Sequence, residues 1–335
     1  VDLKHLLKRG ALLAVANWPT VGIQFAAQTI FKLLLLVPLV GAAVLVSAFI
    51  GGDAALLLQG GLRDMFATIA DALTAEPAAL AAFITAFGLV LVGGSIFTFL
   101  IKGGTVSVLV AAHDVAGPIE RQPLTFESIQ SASRFTLDRF VAGCSRFFRR
   151  YVILGLGLML VYAVSAGAYL AFLVVGYRTA SGGVLVVVWT FVAALTAIGL
   201  VVWITAVNFC YLLVQIAIAS EDSGVADAVR AVARFVRAEF RYLGTIFLVV
   251  LAMVVAATLA SAVAWSGVAL IAFVPFIGLA VVPLQLFALL LRGVLFEYIA
   301  LTALGAYVTL YRRDRVAVED PAAVKGRTGP VRAWG

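Results

Sequence analysis

Apolar residues run in long blocks along this chain, with short polar clusters between them. No Asp, Glu, Lys or Arg occurs in residues 77–101, 151–177, 179–220 or 242–291, blocks of 25, 27, 42 and 50 residues. A helix of about 20 apolar residues crosses a bilayer, so the pattern predicts an all-α integral membrane protein. Six transmembrane helices are predicted, at residues 33–50 (entering as early as Val21), 80–101, 151–175, 184–210, 243–265 and 282–311. Pro38 falls inside the first, where neighbouring helices can satisfy the carbonyl it frees.

The polar clusters have a helical period of their own. In residues 224–241, Val225, Val229, Val232, Val236 and Phe240 form an apolar stripe, and Arg230, Arg234, Arg237 and Arg241 form a basic one beside it. In residues 125–150 the apolar stripe is Phe126, Ile129, Leu137, Phe140, Cys144 and Phe147, followed by Arg149 and Arg150. These read as amphipathic helices of the inner membrane interface, with arginines facing anionic headgroups. In residues 51–76, Leu62, Phe66, Ile69 and Leu73 share one face and predict a short amphipathic helix on the outer surface. The uncharged stretch around 266–283 predicts a tight turn shaped by proline.

A unit of helix, span and span recurs three times. Each pair of spans starts at an aromatic residue, Trp18, Tyr151 or Tyr242, read as a headgroup-level anchor, and exits at Asp114, Asp222 or Asp314. The chain divides into one membrane domain, 1–315, with units of about 3–114, 125–222 and 224–314, and a flexible cytoplasmic tail, 316–335.

Composition agrees. Hydrophobic types make up 64% and charged types 12%, against about 45–50% and 25% in a soluble domain, and the mean hydropathy is +1.12. A soluble globular fold, a disordered chain and a nucleic-acid-binding domain are excluded. The net charge of +7 has a topological origin. Twenty of the 24 Lys and Arg fall in the N-terminus, the 102–150 and 230–241 segments and residues 312–335; only Arg63 and Arg178 fall in the opposite loops. Basic residues collect on the cytoplasmic side, so both termini are expected there, in the cytoplasmic membrane. Lys4, Lys8 and Arg9 resemble the start of a signal peptide, but Asn17-Trp18-Pro19 interrupts the apolar stretch.

Candidate chemistry is sparse. The histidines are His5 and His113; His113-Asp114 reads as a solvated interface pair, since no third group completes an acid–base site. No HExxH, CxxC or phosphate loop occurs, so no enzyme activity, metal or cofactor is expected, and Cys144 and Cys210 are not expected to pair. The glycine pairs, including those between Gly93 and Gly104, read as close helix contacts. Four charges fall in or near spans. Lys32 and Lys102 sit at helix ends, where snorkelling is the ordinary reading. Arg292 and Glu297 fall within the sixth helix and are expected to face the bundle interior. They lie five residues apart, roughly 140° around the helix, so each needs another partner: Lys102 or Lys32 for Glu297, Asn208 or a carbonyl for Arg292.

The run Ala219-Ser220-Glu221-Asp222-Ser223-Gly224-Val225-Ala226-Asp227-Ala228-Val229-Arg230 resembles the repeated element of bacterial glycerophosphoryl diester phosphodiesterase membrane domains and their six-span relatives. The ending Leu310-Tyr311-Arg312-Arg313-Asp314-Arg315 is similar to that family's closing cluster. The resemblance implies a membrane module without the family's soluble hydrolase barrel, and carries over no catalytic residue. The leading functional expectation is a non-catalytic protein that organises the inner leaflet or scaffolds a partner, with membrane lipids as ligands and no nucleic acid. The alternatives are a small-solute or lipid transporter with a polar path at Arg292 and Glu297, and a membrane accessory subunit of a lipid-phosphodiester enzyme.

Overall fold

The computed structural model describes residues 3–49, 77–121, 123, 125–180, 183–272 and 277–319. It is helical, with no strand among those residues. In chain order the helices are α1 (Leu3–Ala16), α2 (Trp18–Phe49), α3 (Pro77–Val115), α4 (Phe126–Ser131), α5 (Leu137–Thr179), α6 (Gly183–Glu221), α7 (Val225–Ala272) and α8 (Ile277–Glu319), with a single 3₁₀ turn at Ile119–Arg121. α2, α3, α5, α6, α7 and α8 are each long and apolar enough to cross a membrane. The expected outer amphipathic helix at 51–76 lies outside the described residues, as does the tail from 320 onward.

The helices outrun the expected spans. α5 has 43 residues, about 65 Å at 1.5 Å per residue, or twice a bilayer's hydrocarbon thickness. Its amphipathic and apolar parts form one unbroken helix, so no joint exists at Tyr151. That side chain is fully buried and donates to the Gln215 carbonyl at 2.8 Å, in place of the expected interface anchor. Trp18, by contrast, is 69% exposed. Pro283 lies inside α8 and does not shape a turn, and α8 runs on to Glu319, into the expected tail.

Burial is concentrated at one end. The fully buried side chains include Leu13 of α1, Leu109 of α3, Tyr151 of α5, Leu213, Ile216 and Ile218 of α6, Phe235, Leu243 and Ile246 of α7, and Tyr307, Leu310 and Tyr311 of α8. Toward the other end, residues such as Val184, Leu195, Val201, Leu259, Val263 and Leu284 stay exposed, as side chains facing lipid tails do. We call these the packed and open ends.

Small residues set the packing at the packed end. A Cβ on Gly10 would strike the backbone of Thr302 and Ala306, bringing α1 onto α8. A Cβ on Gly104 would lie 2.7 Å from Cys144 Sγ and 2.8 Å from the Phe140 carbonyl, bringing α3 onto α5. Of the glycines read as helix contacts, Gly94, Gly103 and Gly104 have that role; Gly93 faces open space.

Candidate functional site

Two polar assemblies stand out: a cap at the packed end and a cluster inside the bundle.

The cap is built on the breaks between helices. The α1–α2 joint is held by Asn17, which is fully buried. Its Nδ2 donates to the Leu13 carbonyl at 3.0 Å, and its Oδ1 accepts from the backbone N–H of Arg134 at 2.8 Å and of Phe135 at 3.0 Å. The interruption visible in the sequence is therefore a joint that also anchors the strand of chain leading into α5. That chain enters α5 through Thr136, whose hydroxyl accepts from the Arg139 N–H, an N-cap that satisfies an orphan helix donor.

Ion pairs then tie distant helices together. Arg9 of α1 donates to Glu120 at 2.9 Å, to the Gly117 carbonyl at 2.6 Å and to His113 Nδ1 at 3.3 Å. His113, held also near Thr309, is part of this lock and is not the solvated pair expected; Asp114 beside it accepts from Arg312 of α8 at 2.7 Å. Asp222 sits in the α6–α7 turn with φ +51°, a left-handed conformation that Asp tolerates better than most residues. It accepts from Arg146 at 2.7 Å and Arg150 at 2.6 Å. Those hydrogen bonds, Arg146 first, hold its carboxyl below the usual carboxylate range. Glu221 accepts from Arg315 at 2.8 Å and from the Tyr311 hydroxyl. The stretches 219–230 and 310–315 thus meet in one knot that closes α6 and α7 against α8.

The remaining arginines are placed differently. Arg149, Arg234, Arg237 and Arg241 are exposed and make no ion pair among the described residues, while Arg230 pairs locally with Asp227 at 2.8 Å. On residues 225–238 the face packed on the bundle is Ala228, Ala231, Val232 and Phe235, with Val225 and Val236 of the expected stripe partly buried beside it, so the buried face overlaps that stripe and is turned toward the alanines. Val229 and Phe240 stay exposed beside the arginines, and Glu239 departs from helical geometry (φ −112°, ψ 23°), bending α7 near its expected joint.

Inside the bundle, α2, α3 and α8 touch one another. This brings Lys32, Lys102 and Glu297 into one neighbourhood. Glu297 is 9% exposed. The two form no direct ion pair; the Lys102 ammonium lies instead over the ring of Tyr211 of α6, 5.4 Å from its centroid. Lys32 is exposed, whereas Lys102 is partly buried. Arg292 is not part of this cluster. It is exposed and stacks on Phe296 one turn along α8, its guanidinium carbon 5.5 Å from the ring centroid. The expectation of an inward Arg292 is corrected: with a 140° offset from Glu297, burying one leaves the other facing out.

Sequence reasoning missed Tyr211 and Gln215. Gln215 is fully buried and its amide has no partner, nor has the Tyr211 hydroxyl. The signal present was a lone glutamine in the charge-free block 179–220.

Compared with known proteins, this chain matches no family model, no curated protein and no solved structure.

Proposed function

We propose that this is a non-catalytic multi-span protein of the cytoplasmic membrane, with both termini cytoplasmic, whose packed end organises anionic lipid of the inner leaflet. The observation that carries the reading is the set of exposed, unpaired arginines Arg149, Arg234, Arg237 and Arg241 beside exposed apolar residues Phe148, Val229 and Phe240. Cationic groups next to apolar ones suit the headgroup boundary, and each arginine near an anionic surface contributes about 1 kcal/mol. Arg150 belongs to the Asp222 lock and Arg230 to Asp227, so both serve the fold before the lipid. The threefold unit is supported by the bend at Glu239, by the break at Asn17 and by the salt-bridged exits Asp114 and Asp222; α5, which has no joint, is the unit that departs from it.

Two other readings follow. A carrier of lipid or small solutes draws on the Lys102–Glu297 cluster, without Arg292. An accessory subunit of a lipid-phosphodiester enzyme rests on the resemblance of residues 219–230 and 310–315.

The test is the anionic phospholipid retained per protein when the chain is extracted into polymer nanodiscs. Arg234→Gln, Arg237→Gln and Arg241→Gln together are expected to lower it at unchanged thermal stability. Retention equal to that of the unmodified chain contradicts the reading.

A further inference from the structure

Lys102, Tyr211 and Gln215 present three unsatisfied polar groups on two adjoining helices. The Lys102 ammonium donates no hydrogen bond among the described residues and meets the face of an aromatic ring. Tyr211 is 7% exposed and Gln215 fully buried, and neither the hydroxyl nor either amide atom has a partner. Tyr211 and Gln215 are four residues apart on α6, so they share a face about one turn apart, roughly 5–6 Å between Cβ atoms. Buried polar groups are ordinarily satisfied, and a set left open points to a bound species.

The charge balance says which. Two basic side chains, Lys102 and Lys32, lie near a single carboxyl group, Glu297, so basic groups outnumber acidic ones here. The free groups on the Tyr211 side are three donors, an ammonium, a phenol O–H and an amide NH₂, and one acceptor, the Gln215 amide oxygen. Neutral apolar ligands leave all three unsatisfied, and cations are repelled. We infer that Lys102, Tyr211 and Gln215, where α3 meets α6, together bind one oxyanion, a carboxylate or phosphate group, separately from the arginines of the cap. Lys32 beside the cluster is exposed, and the oxyanion is taken to come either on a lipid or as a free ion.

The full chain in dodecyl maltoside is titrated with oleate, with phosphatidylglycerol and with inorganic phosphate, following the unfolding temperature and the bound stoichiometry by native mass spectrometry. A saturable rise with one anion bound per chain is expected. If oleate or phosphatidylglycerol gives it and phosphate does not, the source is a lipid; the reverse assigns a free ion. Lys102→Met should weaken binding at least about tenfold, and Tyr211→Phe and Gln215→Leu each by about tenfold, as expected for a lost hydrogen bond to a charged group. Glu297→Gln, which removes the competing carboxylate, should tighten it. The Arg234→Gln, Arg237→Gln, Arg241→Gln chain should bind with unchanged affinity, which separates this site from the surface arginines. The phenol and amide variants keep the test open if Lys102→Met does not fold. Absence of a saturable rise with all three anions overturns the proposal. So does binding that Tyr211→Phe and Gln215→Leu leave unchanged, or an effect of those variants on stability that is the same with and without anion.

Discussion

At Gly104 the absence of a side chain lets α3 lie against α5 at the level of Phe140 and Cys144. Gly104→Ala places a methyl group against backbone and sulfur, and overpacking of this kind costs about 1–3 kcal/mol. Thermal unfolding in detergent should show that loss, while Gly157→Ala, with open space around it, should be neutral or slightly stabilising. Asn17→Ala removes the acceptor for two backbone N–H groups and should cost about 2 kcal/mol or more, since each orphaned buried donor costs about 1–3. Asp222 makes the acid limb sensitive. Its folded-state carboxyl titrates below its ordinary value, so its contribution is present above the ordinary Asp range and lost as pH falls through the lowered value. Unfolding temperatures from pH 7 to pH 3 should drop less steeply for Asp222→Asn than for the unmodified chain. At this scale the sequence pointed to Glu297 and its lysines, because a carboxylate in an apolar helix calls for a compensating group, and the structure brings them near one another without the expected ion pair. It misplaced Arg292, because a stack on Phe296 lets an arginine remain on the outer face.

Between elements, the charges that matter are those that bridge helices. The Glu297–Lys102 neighbourhood joins α8 to α3 without an ion pair or hydrogen bond between the two, so its coupling is taken to be electrostatic. In a double-mutant cycle, Glu297→Gln and Lys102→Met are expected to be non-additive, the pair together costing less than the two single losses summed. Strict additivity measured by thermal unfolding removes that coupling. Helix existence was legible from hydropathy, whereas helix length was not. The change from charged to apolar composition at Tyr151 looked like a joint, yet a composition change does not break a backbone. Asn17-Trp18-Pro19 does break it, because an asparagine side chain replaces the missing helix bonds and proline suits a first turn. The rotation of the buried face on residues 225–238 was also hidden, since Ala228 and Ala231 carry too little hydrophobicity to outweigh Val229 and Phe240, although close packing favours them.

Over the whole molecule, six apolar helices alternate between a packed end rich in arginine and an open end. α1 and the last turns of α8 both lie at the packed end, bound through Gly10 and the Arg9 and Arg312 locks. Apart from Lys32, Lys102 and Arg292 along the spans and Arg178 at the open end, the basic residues of the described chain gather there. The lipid role proposed for Arg149, Arg234, Arg237 and Arg241 requires that the packed end face the cytoplasm. The direct measurement is labelling by a membrane-impermeant maleimide in a chain lacking Cys144 and Cys210, with single cysteines at Asp64→Cys and Glu127→Cys. In right-side-out vesicles Asp64→Cys should label and Glu127→Cys should not, with the pattern exchanged in inverted vesicles. Labelling of Glu127→Cys alone from the outside would place the arginines on the wrong face and contradict the account.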